Sequence, residues 1–124
     1  MMDSFETLLK IRVVKKHDDG VTVSMPLRPE FMNNSGVLHG GVIATLADEA
    51  VGFSVDNHFE RKQIITTTEL KVNYLLPVVG KRLSARCQLV RVGRHLCVGR
   101  VDLIDDRKRL VAIATATYML LGGK

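Results

Sequence analysis

The chain contains only two cysteines, Cys87 and Cys97, and neither belongs to a CxxC pair. Structural zinc sites need clustered cysteine or histidine ligands, whereas these two thiols lie in separate strand-like patterns. The histidines form no HExxH motif, and no Walker or Rossmann glycine pattern is present. We therefore expect two small buried hydrophobic side chains, no metal site and no cofactor.

Long apolar runs are absent as well, because none approaches the ~20 residues that span a bilayer. The N-terminal segment Met1–Glu6 shows no basic stretch followed by an apolar one, so we expect no secretory signal and a cytoplasmic location. Aromatic residues make up only 5% of the chain, with no cluster for stacking on bases and no helix-turn-helix pattern. Neither a membrane nor a nucleic acid is an expected partner.

Basic residues, in contrast, are concentrated late in the chain. Between Lys81 and Arg109 there are nine lysines and arginines against three acidic residues, in a protein of net charge +5. Such a surface can bind a phosphate-bearing partner, although a solvated strand face explains the same pattern equally well.

Hydrophobic periodicity predicts one helix among several strands. Apolar residues recur at i, i+3, i+4 and i+7 from about Gly41 to Asn57, and alternate on either side of that segment. The predicted strands are Ile11–Lys16, Val21–Leu27, Ile64–Leu76, Leu83–Val92, Leu96–Ile104 and Leu110–Leu121. We expect a single α+β domain over residues 1–124, with a curved antiparallel sheet wrapped around the helix. The long last strand is expected to leave an exposed edge that could pair with a second copy.

A polar, glycine-rich turn, residues 33–41, leads directly into the predicted helix. N–H groups at a helix start lack intrahelical partners and carry positive potential, and the glycines Gly40 and Gly41 let another group approach them. Asp48 follows within the helix, and a helical projection places it among apolar neighbours, whereas Glu49 projects toward polar ones and is expected at the solvated surface. Backbone donors for an oxyanion, together with a carboxylate base or nucleophile, are typical of acyl-transfer sites.

Other polar residues near this turn have two interpretations each. His39 could act as a general base, but a structural or substrate-orienting role is favoured because no serine or cysteine nucleophile stands beside it. Asn33 could brace the loop, which is the commoner use of asparagine at such positions. One of the threonines Thr66–Thr68 could hold a water near Asp48, although alternation alone does not tell which of them faces the helix.

The motif Asn33-x5-His39-Gly40-Gly41-x6-Asp48, followed by Tyr74-x2-Pro77 and the Gly93-Arg94 turn, resembles the hotdog-fold acyl-CoA thioesterases. The most similar type contains the phenylacetate-pathway and 4-hydroxybenzoyl-CoA thioesterases, and the resemblance covers about Met25 to Met119. It implies a hotdog fold, dimers that often pair into tetramers, and an active site at the dimer interface.

The resemblance also implies roles for individual residues. Asp48 matches the catalytic carboxylate, and the Gly40 N–H matches the donor that polarises the thioester carbonyl. Asn33 and His39 match motif residues at the thioester, while Thr67 falls where relatives carry a Ser or Thr that assists the water. The candidates for binding the CoA phosphates are Arg91, Arg94 and His95.

The expected reaction is hydrolysis of an acyl- or aryl-CoA thioester to a carboxylic acid and CoA, which makes CoA part of the substrate. A non-catalytic acyl-CoA sensor on the same fold is the alternative, and ligand binding without turnover would favour it. A hotdog hydroxyacyl dehydratase is a third interpretation, but the surroundings of His39 are unlike that branch. The sequence leaves open the acyl group, free CoA or a carrier protein as the thiol, and water activation or direct attack by the carboxylate.

Overall fold

The computed structural model describes residues 4–124, so the N-terminal segment for which no secretory signal is expected lies partly outside it. The helix and all six strands predicted from the sequence are present, with ends within two residues of the prediction. A short first helix and a 3-10 turn are additional, because segments of four and three residues are too short to show periodicity. The elements are α1 (Phe5–Leu8), β1 (Arg12–His17), β2 (Gly20–Pro26), the 3-10 turn (Pro29–Phe31), α2 (Gly40–His58), β3 (Gln63–Tyr74), β4 (Arg82–Val92), β5 (Leu96–Asp105) and β6 (Leu110–Gly123).

The six strands form one antiparallel sheet in the order β1-β2-β4-β5-β6-β3. The expectation that the last strand would form an exposed edge is wrong, because β6 lies between β5 and β3. Its far side is covered by β3, which pairs with it from Gln63↔Gly123 to Tyr74↔Ala112. The edges of the sheet are therefore β1 and β3. This long-range pairing is invisible in local alternation, which identifies strands but not their neighbours.

The helix α2 packs against the concave face of the sheet. It contacts strands β2 to β6, and its buried positions include Leu46, Ala47, Ala50 and Val51. Close approach depends on small residues, since a Cβ on Gly99 of β5 would lie 2.9 Å from the Val51 side chain. Burial of each such Leu or Val side chain contributes about 1.5–3 kcal/mol, so this contact is the main source of stability that holds α2 in place.

The two cysteines are unpaired and buried in this core, as the sequence predicts. Burial raises the pKa of the Cys87 thiol to about 11, which keeps it protonated and unreactive at neutral pH. Within residues 4–124 no helix is long and apolar enough to cross a membrane.

Candidate functional site

The start of α2 is organised by His39, which is its N-cap residue. The His39 backbone is extended, and its Nδ1 accepts a hydrogen bond from the Gly41 N–H at 2.8 Å. Because Nδ1 is an acceptor, Nε2 carries the proton of the neutral ring, and the side chain is exposed. The loop before it is braced by Asn33, whose Oδ1 accepts from the N–H groups of Ser35 and Val37 at 2.8 and 3.3 Å. This bracing leaves the Asn33 amide NH₂ available to another group.

Gly40 carries the open donor of this helix start. Gly41 donates to His39 Nδ1, and Val42 and Ile43 both donate to the His39 carbonyl, so three of the first-turn N–H groups have acceptors. The Gly40 N–H has none within residues 4–124. An unpaired N–H at the positive end of a helix is suited to a carbonyl oxygen that gains negative charge.

An apolar cavity of about 290 Å³ adjoins Gly40. Its lining includes Leu38, Ile43 and the exposed segment Tyr74–Leu76. The Tyr74 hydroxyl donates to the Gly40 carbonyl at 3.0 Å, which ties the end of β3 to the first turn of α2.

Asp48 lies further along α2 and receives two hydroxyl groups. Thr67 Oγ1 of β3 donates to Asp48 Oδ1 at 2.9 Å, so the middle threonine faces the helix. The Tyr118 hydroxyl of β6 lies 2.7 Å from the same Oδ1 and 2.9 Å from the Asp48 carbonyl oxygen. Sequence reasoning missed Tyr118, whose contact joins residues 70 positions apart. The available clue was Gly52, an unfavourable residue in a helix interior one turn after Asp48.

Glu49 does not lie at the solvated surface, where the sequence predicted it. It is half-buried and lines, together with Asp48, a cavity of about 590 Å³ whose other side is formed by α1 and the residue before it. Burial raises the pKa of Glu49 to about 8, and the neighbouring Glu6 carboxylate adds to the effect. The expectation is wrong because α1, which the sequence pattern does not reveal, covers this side of α2.

The structure places the candidate residues in two groups rather than one. Gly40 and Asp48 are eight residues apart on one helix, which corresponds to about 12 Å along its axis. They line different cavities, with His39 and Asn33 near the first and Thr67 at the second. One protomer therefore carries the open backbone donor and the carboxylate at separate places.

The candidate phosphate ligands lie at the hairpin between β4 and β5. Arg91 is the penultimate residue of β4, while Arg94 and His95 belong to the turn, which is closed by the Gly93 N–H donating to the Leu96 carbonyl at 2.8 Å. All three side chains are exposed, and none forms an ion pair with an acidic residue of the described chain. Within residues 4–124 there is no group of three or more His, Cys, Asp or Glu side chains arranged to hold a metal ion.

Residues 35–112, which include the start of α2, Asp48, Thr67 and the β4–β5 hairpin, match the family model described as the thioesterase superfamily. The chain belongs to the thioesterase superfamily. Membership makes it a thioester hydrolase, and the match includes the helix start and the carboxylate described above.

Individual relatives within the thioesterase superfamily match almost the whole chain. It is 30% identical over 131 aligned positions to the medium/long-chain acyl-CoA thioesterase YigI of Escherichia coli K12, covering 94% of this chain and 84% of YigI. Thioesterase HI1161 of Haemophilus influenzae has a similar structure, with a TM-score of 0.90, 24% identity and coverage of 97% and 84%. The E. coli PaaI protein from the phenylacetic acid degradation operon is also similar in structure, with a TM-score of 0.89 and 20% identity. The similarity covers 98% of this chain and 87% of PaaI. The predicted hotdog fold is confirmed.

Proposed function

We propose that this thioesterase hydrolyses acyl-CoA thioesters, at a site built from Asp48 of one subunit and the start of α2 of a second. The observation that carries the proposal is the Asp48 carboxylate, held by the Thr67 hydroxyl at 2.9 Å at the edge of a cavity of about 590 Å³. The relative named medium/long-chain acyl-CoA thioesterase supports an acyl-CoA of that length as the preferred substrate.

Two subunits are needed because one helix separates the reacting groups. About 12 Å lies between Gly40 and Asp48, whereas a carbonyl donor and a base acting on one thioester must both lie within about 3–3.5 Å of it. The free edge of β3 offers a surface for antiparallel pairing with a second copy. Next to Gly40, the side chains of Tyr74, Leu75 and Leu76 are 54%, 49% and 42% exposed, an apolar patch that a partner would cover.

In the proposed mechanism the thioester carbonyl oxygen accepts a hydrogen bond from the Gly40 N–H. The amide NH₂ of Asn33 and the Nε2–H of His39 orient the acyl group. Asp48 of the other subunit either removes a proton from an attacking water or attacks the carbonyl itself to form an anhydride that water then opens. In both routes the C–S bond breaks, CoA leaves as the thiol and the acyl group leaves as a carboxylic acid. Thr67 holds the carboxylate, and its hydroxyl oxygen can accept from the water.

The CoA nucleotide is assigned to the basic hairpin. Arg91, Arg94 and His95 present donors without acidic partners, and guanidinium groups match phosphate oxygens in charge and geometry. The reaction as proposed uses only the acyl-CoA and water, so CoA is substrate and product rather than a cofactor.

Thiol release from a panel of aryl, short, medium and long acyl-CoAs tests the proposal. Asp48→Asn should reduce kcat by about 10²–10⁴-fold if Asp48 is the general base. Asp102→Asn is the matched control, since Asp102 is an exposed aspartate on β5 that lines neither the cavity at Gly40 nor the cavity at Asp48, and the activity of this variant should equal that of the wild type. Full turnover in Asp48→Asn would refute the mechanism. Tight acyl-CoA binding by the wild type without turnover would instead identify a binding module.

A further inference from the structure

We propose that Tyr118 is a positioning residue for Asp48, and that the absence of a side chain at Gly52 lets the Tyr118 hydroxyl reach the Asp48 carboxylate. This inference rests on the proposed role of Asp48. It assigns a task to the one buried hydroxyl of the site that the mechanism above does not use.

Tyr118 and Thr67 act on Asp48 as neighbours in the sheet. The two residues are direct cross-strand partners on β6 and β3, so their side chains project to the same face at the same level. Both hydroxyls lie within hydrogen-bond distance of Asp48 Oδ1, at 2.7 and 2.9 Å. No donor of the described chain contacts Oδ2. Two donors on one oxygen fix the rotation of the carboxylate and leave Oδ2 as the oxygen that meets the water or the thioester.

The tyrosine is suited to remain a donor throughout the reaction. Its side chain is 6% exposed, and burial, reinforced by the nearby Asp48, raises the pKa of Tyr118. The hydroxyl therefore keeps its proton at neutral pH. The Asp48 carbonyl oxygen, at 2.9 Å, is a second acceptor within reach, and the single hydroxyl proton is shared between it and Oδ1.

Gly52 makes this contact possible. A Cβ at position 52 would lie 2.8 Å from the Tyr118 hydroxyl oxygen and 3.3 Å from the ring carbon that bears it. Glycine in a helix interior is less stable than alanine, so its presence one turn after Asp48 calls for a compensating gain. The fit of the tyrosine hydroxyl between Gly52 and Asp48 supplies that gain.

Tyr118→Phe removes the hydroxyl and keeps the ring. Loss of a hydrogen bond to a charged group should lower kcat by about 10–100-fold and change KM by less than about 3-fold. The other ionisable groups that line the cavity are unchanged in this variant; they are Glu6, Glu49, Asp56 and Arg61.

Ser54→Ala is the control for a purely structural loss. Ser54 is buried on α2, accepts from the Val21 N–H at 3.0 Å and donates to the Ala50 carbonyl at 2.8 Å, without touching Asp48. This variant should melt at a lower temperature and keep the wild-type kcat and KM. An unchanged kcat in Tyr118→Phe would overturn the proposal.

Gly52→Ala provides an independent test, since the new Cβ displaces the hydroxyl and should reproduce the Tyr118→Phe kinetics. The double variant should have a kcat no lower than that of Tyr118→Phe alone, and additive losses of kcat would contradict the role assigned to Gly52.

The inference is also separable from the catalytic role of Asp48. If Asp48→Asn kept full turnover, Tyr118→Phe should still lower the melting temperature by about 3–6 °C in the wild type and by much less in Asp48→Ala. Equal shifts in both backgrounds would refute the contact itself.

Discussion

Substituting His39 separates helix capping from chemistry at the proposed carbonyl site. In the structure its Nδ1 accepts the Gly41 N–H, so His39→Ala leaves that donor unpaired. His39→Asn offers a side-chain oxygen at the same position, and asparagine is among the best N-cap residues. Both variants therefore remove the imidazole, but His39→Asn keeps a capping acceptor for the Gly41 N–H and His39→Ala does not.

The size of the capping effect follows from the length of the chain. Loss of an N-cap costs about 1 kcal/mol. With an unfolding entropy of about 2.1 cal/mol/K per residue, 124 residues give about 0.26 kcal/mol/K, so His39→Ala should lower Tm by about 4 °C. His39→Asn should stay within about 1 °C of the wild type, because the exposed ring contributes little other packing.

Thermal unfolding followed by circular dichroism and kcat for a medium-chain acyl-CoA should be measured on both variants. If His39 caps the helix and orients the thioester, His39→Asn keeps kcat within about 10-fold of the wild type, short of the 10²–10⁴-fold expected for a lost general base. An unchanged Tm in His39→Ala would refute the capping assignment. A loss beyond about 10³-fold in His39→Asn at normal Tm would make the imidazole a proton-transfer group.

Three further predictions concern pH and packing. The pKa of Glu49 is raised from 4.5 to about 8, so the unfolded chain releases this proton at lower pH than the folded chain does. The free energy of unfolding should therefore fall as pH rises from 4.5 to 8. Glu49→Gln should make Tm less dependent on pH in that range. The carboxylate of Asp105 is 1% exposed, and hydrogen bonds, foremost from the Arg109 N–H, lower its pKa below 3.8. The ionised Asp105 carboxylate stabilises the folded state above pH 3.8, and this stabilisation is lost as pH falls through the lowered pKa. Asp105→Asn should therefore have a lower Tm than the wild type at pH 7, and the difference in Tm should disappear in acid. Gly20→Ala should lower Tm by at least about 4 °C in calorimetry, because its Cβ would collide with the Cys87 carbonyl oxygen; an unchanged Tm would contradict the close contact.

The sequence was most informative where structure depends on local periodicity. The 3.6-residue period located α2, and the turn before it indicated where the helix begins and which N–H would be open. Two-residue alternation located the strands but not their order, since pairing of β3 with β6 is decided by packing between distant segments. The same limit explains the error about the exposed edge.

The composition of the Asp48 site was only partly predictable for a related reason. Thr67 could be named as a candidate because the family resemblance indicated it, but its orientation depends on how β3 crosses α2. Tyr118 could not be chosen among the strand residues, because its contact requires the fold to bring β6 beside Asp48. The burial of Glu49 depends on α1, a helix of four residues whose position no hydrophobic pattern records.

The position of β3 in the sheet has a consequence for synthesis on the ribosome. This strand emerges directly after α2, yet its strand partner among the described residues is β6, which follows the other five strands in the sequence. Until Leu110–Gly123 has left the exit tunnel, the strand that bears Thr67 has no neighbour to pair with, and Asp48 lacks its second hydroxyl donor from Tyr118. A nascent chain can therefore fold its first hairpin and helix early, but Asp48 receives both of its hydroxyl donors only after β6 has emerged.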